Sequence, residues 1–180
     1  MPQHLLGIQA LSQFCSGRLE GDELGSEEIK FFPGEDCKDR VLIKIETAGS
    51  ITLALQFLIP SALLAKKSVK ISFDGGGTDT FFSPTIDYFQ HVFLKVLEKL
   101  GGKINMNIIK RGYYPEGGAK IEVEVFPSKL KGLDLIERND LKKILAFSGA
   151  SQFLKQKKVA ERQLQGVREI LGKLKLPIEE

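Results

Sequence analysis

Tryptophan is absent from this chain of 180 residues, and cysteine, histidine and methionine occur twice each. Cys15 and Cys37 make no Cys-x-x-Cys pair and are too few for a disulfide framework, while His4 and His91 complete no zinc-binding spacing. Both thiols therefore read as reduced, and the compartment as cytoplasmic. Long apolar runs are missing too. The most hydrophobic stretch, Ile51 to Ala65, is interrupted by Thr52, Gln56, Pro60 and Ser61 and is too short to cross a bilayer, and no basic segment leads into an apolar core near the N-terminus. A disulfide-stapled module, a zinc module and a membrane role are excluded on these grounds. Three catalytic signatures are also lacking: a Gly-x-x-x-x-Gly-Lys-Ser/Thr phosphate loop, a Ser-His-Asp set whose members can be placed, and a lysine-nucleophile motif.

What is present describes a globular chain. With 42% hydrophobic and 27% charged residues, there is material for one domain or one and a part. The formal net charge is +3, yet Lys142 to Lys175 holds nine basic and two acidic residues, so that segment carries +7 and the remainder −4. Such a segment either tracks a nucleic-acid backbone or forms a solvated helix face.

The centre of the pattern is Gly75 to Pro84, Gly-Gly-Gly-Thr-Asp-Thr-Phe-Phe-Ser-Pro, a flexible loop between an alternating strand (Val69, Ile71, Phe73) and a helix from Pro84 to Leu100. That helix has Ile86, Phe89, Phe93, Val96, Leu97 and Leu100 as its apolar stripe, with Ser83 and Pro84 as expected N-cap and first helical residue. Glycines there permit close approach of a ligand, and the helix start suits a phosphate; a plain turn has the same signature. Upstream, Gln3 to Cys15 reads as a helix with Leu5, Ile8 and Cys15 on one side. Two short extended pieces follow, then the strand Val41 to Glu46. A helix from Ser50 to about Ala65 is apolar nearly all round and hence expected to be buried, with Pro60 ending or kinking it. Downstream, Lys103 to Ile109 and Ala119 to Phe126 form a hairpin about Arg111 to Gly118. Residues 48 to 126 thus spell helix, strand, helix, strand, strand, and the stretch before them is an incomplete copy. Past Pro127 a polar connector leads to a strand, Lys142 to Phe147, and a helix, Val159 to Leu174.

Several residues can carry chemistry. Gln56, on a helix read as buried, needs a partner, either a backbone carbonyl or a nucleotide or phosphate. Thr78 and Asp79 can ligate Mg²⁺ or cap a turn. Lys110 to Gly118 combines charge, the rings of Tyr113 and Tyr114 and a flexible turn, which suits gripping a phosphodiester end and stacking on a base, or simply closing a hairpin. His4 stands at a helix start beside Gln3, and His91 lies opposite the apolar stripe as a solvated residue.

Taken together and in order, Pro2-Gln3-His4-Leu5, Glu20-Gly21-Asp22-Glu23-Leu24-Gly25-Ser26, Thr47-Ala48-Gly49-Ser50 with Thr52-Leu53 and Leu55-Gln56, Gly76-Gly77-Thr78-Asp79 with Ser83-Pro84 and Asp87-Tyr88, Arg111-Gly112-Tyr113-Tyr114-Pro115 with Gly117-Gly118, and Val159-Ala160-Glu161-Arg162 resemble the RNA 3′-terminal phosphate cyclase family. The resemblance covers residues 2 to about 168 and corresponds to the middle of a family member. It implies an α+β fold of repeated units, two helices on a four-stranded sheet, similar to the enolpyruvyl transferases. The expected layout is a large-domain region, 1–128, with its first unit truncated, a connector, 129–141, and the beginning of a smaller inserted domain, 142–180. The implied activity is ATP-dependent conversion of an RNA 3′-phosphate to a 2′,3′-cyclic phosphate through adenylylated intermediates, with ATP and Mg²⁺ or another divalent cation. Gln3, Gln56 and Pro84 match nucleotide-site positions, His4 a supporting position, and Gly76, Gly77, Thr78, Asp79, Arg111 and Tyr113 are candidate phosphate or RNA contacts.

No residue matches the family's AMP-accepting histidine, whose place would follow Glu180, so the chain alone is expected to be inactive. A non-catalytic cyclase-like protein, binding RNA or assisting ribosome assembly, is the alternative. RNA 3′-phosphate ends are the expected partner, with self-association through exposed sheet edges.

Overall fold

The computed structural model describes residues 2–180, and the chain divides into two compact units, Met1–Leu133 and Asp134–Glu180. In the first unit, α1 (Pro2–Phe14) precedes a small antiparallel pair, β1 (Arg18–Glu20) and β2 (Lys30–Phe32). Then come β3 (Arg40–Ser50), α2 (Ile51–Leu63), β4 (Val69–Gly77), a helix in three pieces, and the hairpin strands β5 (Lys103–Lys110) and β6 (Lys120–Phe126). The last four strands form one mixed sheet in the order β3-β4-β6-β5. β3 runs parallel to β4 because α2 carries the chain back, whereas β4 and β5 both run antiparallel to β6.

Alternation dictates the sheet. Val41, Ile43, Ile45, Val69, Ile71, Phe73, Ile121, Val123 and Val125 are all buried on one face, and the register pairs Val69 with Val125 and Phe73 with Ile121. The polar residues between them, such as Lys70, Ser72, Glu122 and Glu124, point to the other face.

α2 fills the apolar side of this sheet. Its N-cap is Ser50, whose hydroxyl accepts the Leu53 amide, and Ile51, Leu55, Leu58 and Ile59 are completely buried, each contributing about 1.5–3 kcal/mol. Gln56 corrects the reading of this helix as buried all round. It is exposed, because the sheet and α1 cover only part of the circumference and Gln56, Phe57 and Pro60 occupy the remainder. Pro60 does not end the helix, which continues to Leu63. α1 presents Gly7, Ala10 and Phe14 inward, with Leu5 and Ile8 only half-buried. The cause is close helix contact: a Cβ at Gly7 would lie 2.5 Å from the Phe57 ring.

The helix after β4 comprises α3 (Ile86–Tyr88), a π-helical turn (Phe89–Phe93) and α4 (Leu94–Lys99). A π turn holds an extra residue, so the buried face advances by one position. Leu94 is therefore buried while Val96, on the expected stripe, is 39% exposed.

The second unit pairs β7 (Ile144–Leu145) in parallel with β8 (Ile178–Glu179), beside α5 (Val159–Leu171). Its strand is shorter than the stretch Lys142 to Phe147, and a tight 3₁₀ turn, Gly172–Leu174, replaces the end of the expected helix. No residue between 134 and 180 is buried, so little apolar packing is available to lengthen either element. No helix among the described residues is long and apolar enough to cross a membrane.

Candidate functional site

β4 continues through Gly75, Gly76 and Gly77, so the expected loop from Gly75 shortens to residues 78–85. The glycines serve a close backbone crossing. Gly75 has φ +93°, and a Cβ on it would lie 2.0 Å from the Ile45 carbonyl oxygen of β3. Its amide donates to the Ala119 carbonyl at 2.8 Å, and the Ala119 amide returns to the Gly76 carbonyl at 3.1 Å. Gly76 and Gly77, two of the candidate phosphate contacts, are buried. Gly112 closes the same junction, since a Cβ there would meet the Gly76 oxygen at 2.3 Å.

Next to the junction lies a charged network. Thr78 is buried, its hydroxyl donating to Asp79 Oδ2 at 2.7 Å, and its amide donates to the Gly112 carbonyl at 2.8 Å. Arg111 places its Nη1 2.7 Å from Asp87 Oδ2 and its Nη2 2.6 Å from Asp87 Oδ1, with Asp79 Oδ2 3.6 Å from Nη1. The fork to Asp87 raises the Arg111 pKa, against a lowering by burial. Burial raises the Tyr113 pKa, and the Arg111 charge opposes that rise. Arg111 is thus neutralised by two carboxylates and joins the 111–118 turn to α3. Sequence reading grouped Asp87 with the motif and missed it as this partner; a carboxylate in the first turn of a helix was the available signal. Among the described residues no group of three or more His, Cys, Asp or Glu is placed to hold a metal ion.

The helix start differs from the expected Ser83-Pro84 cap. Thr85 is the N-cap, its hydroxyl accepting the Tyr88 amide, and the helix begins at Ile86. Ser83 instead turns back, its hydroxyl 2.7 Å from Thr80 Oγ1 and donating to the Thr80 carbonyl at 3.1 Å. This braced turn projects Phe81, 76% exposed, and Phe82, fully exposed, with Phe82 at φ +59°. The Phe81 ring meets Tyr114 edge-on at 5.8 Å.

Gln3, Gln56 and Pro84 fall around one helix end. Gln3 clamps the backbone of Ser50: its Nε2 donates to the Ser50 carbonyl and its Oε1 accepts the Ser50 amide, both at 2.8 Å. In the first turn of α2, fully buried Thr52 donates to the Pro84 carbonyl at 2.8 Å. Gln56 is a further turn along, about 6 Å on the helix axis, exposed and without a hydrogen-bond partner among the described residues. His4 is exposed on α1, and His91 is exposed on the π turn. The arrangement offers an outward-facing amide, a proline carbonyl segment held from behind and exposed rings nearby in sequence, which can receive a planar base and a polar tail.

Comparison with known proteins agrees in one direction. A family model described as RNA 3′-terminal phosphate cyclase matches residues 1–172. Proteins of that name resemble the chain closely: one from Saccharolobus islandicus (strain L.S.2.15 / Lassen #1) is 39% identical over 178 residues, 98% of this chain and 51% of its own length. Another from Saccharolobus solfataricus is 38% identical over 178 residues, 98% and 51%, and one from Metallosphaera sedula is 35% identical over 177 residues, 98% and 52%. The chain spans about half the length of the curated relatives it matches.

Proposed function

Because the chain belongs to the RNA 3′-terminal phosphate cyclase family, we propose that the protein is part of an enzyme that closes an RNA 3′-phosphate to a 2′,3′-cyclic phosphate at the expense of ATP. ATP supplies an adenylyl group, releasing pyrophosphate and turning the 3′-phosphate into a phosphoanhydride; the neighbouring 2′-hydroxyl then loses its proton and attacks the 3′-phosphorus, and AMP leaves as the cyclic phosphate closes. The observation that carries the assignment is Gln56: an amide on a largely apolar helix faces outward without a hydrogen-bond partner among the described residues, one turn from the Thr52 contact to Pro84.

In this reading Gln56 and Pro84 contact the nucleotide, and Gln3 supports them from Ser50, since both ends of its amide are engaged there. His4 lies next to that clamp as a supporting residue. A divalent cation belongs with the nucleotide phosphates, because Asp79 already accepts Thr78 and Asp87 is paired with Arg111. Phe81, Phe82 and Tyr114 offer π faces to the bases of the RNA end, while Arg111 and Tyr113 set the turn that carries Tyr114. Edge strands β3 and β5 are the surfaces for self-association.

The test uses the full gene product with labelled ATP, Mg²⁺ and a 3′-phosphorylated oligonucleotide. Cyclic phosphate accompanied by AMP supports the proposal. Absence of both ATP binding and cyclic product contradicts it and leaves the non-catalytic RNA-binding reading.

A further inference from the structure

We infer that Thr52 is a positioning residue for nucleotide binding, fixing Pro84 relative to Gln56 through a one-way chain of hydrogen bonds from the Ser50 hydroxyl to Thr52 to Pro84. The inference rests on the reading that Gln56 and Pro84 contact the nucleotide.

Direction follows from the inventory of protons. A threonine hydroxyl has one hydrogen, and the Pro84 carbonyl, 2.8 Å from Thr52 Oγ1, can only accept. Thr52 must therefore donate to Pro84. In the 2.9 Å contact between Ser50 Oγ and Thr52 Oγ1, Ser50 is then the donor. Ser50 Oγ in turn accepts the Leu53 amide at 3.2 Å, and the Ser50 backbone is held at both its amide and its carbonyl by Gln3. The contact between the Ser50 and Thr52 hydroxyls is buried, with Ser50 4% and Thr52 0% exposed, a setting in which aligned hydrogen bonds reinforce one another, while the links to Gln3, Leu53 and Pro84 are part-buried.

Pro84 needs such a hold. Proline has no N–H, so its backbone can be fastened only through the carbonyl. Immediately before it, the turn at residues 80–83 is braced internally, by Ser83 on Thr80, and carries a residue at positive φ. Immediately after it, the Ile86 amide binds the Thr78 carbonyl at 2.9 Å. The Thr52 hydroxyl is the side-chain link between this segment and α2, the helix that bears Gln56. It sets the separation of the two proposed contacts, and binding sites lose affinity when such a separation is left unfixed.

The experiment compares wild type, Thr52→Ser and Thr52→Val in the full-length protein, reading thermal unfolding, the ATP dissociation constant, and hydrogen exchange at the Ser83, Thr85 and Ile86 amides. Thr52→Ser keeps the hydroxyl and is expected to bind ATP within twofold of wild type. Thr52→Val keeps the shape but is expected to bind about 5- to 20-fold more weakly and to exchange faster at those amides; in its background Gln56→Ala costs less than in wild type. If Thr52→Val does not fold, Thr52→Ala, which leaves room for a water at the Pro84 carbonyl, takes its place with the same expectation. Loss of thermal stability with unchanged ATP affinity and unchanged Gln56 coupling overturns the inference while the nucleotide reading survives. Wild type that does not bind ATP overturns that reading, and the inference falls with it.

Discussion

Arg111 grips Asp87 with both arms of its guanidinium, at 2.7 and 2.6 Å, and so fastens the turn after β5 to the first turn of α3. The two side chains are 32% and 19% exposed, so solvent screens the pair only in part. Asp87→Asn is expected to destabilise the fold by about 1–3 kcal/mol in urea unfolding, because it breaks the charged fork on a partly buried guanidinium and leaves it only Asp79 at 3.6 Å. Arg111→Lys, which cannot reproduce the fork, is expected to cost a similar amount. The double variant Arg111→Met/Asp87→Leu should cost less than the sum of the Arg111→Met and Asp87→Leu losses measured singly; strict additivity would show that the pair is not coupled.

Gly75 is the most constrained glycine of the junction. Gly75→Ala combines a positive φ with a Cβ 2.0 Å from the Ile45 oxygen, and a loss of about 3 kcal/mol or more is expected. Gly132→Ala, with nothing within 4 Å of its Cβ, serves as the control and should change stability by less than about 0.5 kcal/mol. Equal effects in thermal unfolding would refute the close crossing of β3 and β4.

Tyr113 gives a pH signature. Burial raises its pKa above the ordinary value of 10.0, so the folded state holds the phenolic proton more tightly than the unfolded chain. The corresponding stability is present below about pH 10 and is lost as pH rises through the raised value. Tyr113→Phe removes this dependence. The difference in stability between wild type and Tyr113→Phe should therefore be flat up to about pH 9.5 and move in favour of the variant above it. A flat difference to pH 11 would contradict the assignment.

The strands were legible because β-branched residues alternate with polar ones over Val41 to Ile45, Val69 to Phe73 and Ile121 to Val125, and only one register buries all three sets. Orientation within helices was less legible. α2 is apolar on all sides, so its composition does not reveal that Gln56 looks outward, and the π turn at Phe89–Phe93 moves the buried face in a way a regular period cannot anticipate. A run of glycines has the same sequence signature whether it cradles a ligand or lets two strands cross closely, and here Ile45 lies on top of it. Arg111 and Asp87 illustrate the same limit at the site, since a motif cation can contact a ligand or fasten its own turn. Thr52 was visible as a polar interruption of the apolar stretch from Ile51, but its partner, the carbonyl of Pro84, is a tertiary contact across 32 residues.

Gln56 separates binding from folding. Its side chain is exposed and without a hydrogen-bond partner among the described residues, so Gln56→Ala should leave unfolding within about 0.5 kcal/mol of wild type while weakening ATP binding by about 10-fold, near 1.4 kcal/mol. Parallel losses in stability and binding would assign Gln56 a structural role.

The most direct measurement is a titration of isotope-labelled protein with ATP, followed by amide chemical shifts. The account predicts that the largest changes fall on the Gln56 side-chain amide and on the backbone amides of Ser83, Thr85 and Ile86, and that Gln56→Ala diminishes them. Changes centred instead on the polar outer face of the sheet, at Arg40, Lys70, Asn105 and Glu122, or no changes at saturating ATP, would contradict it.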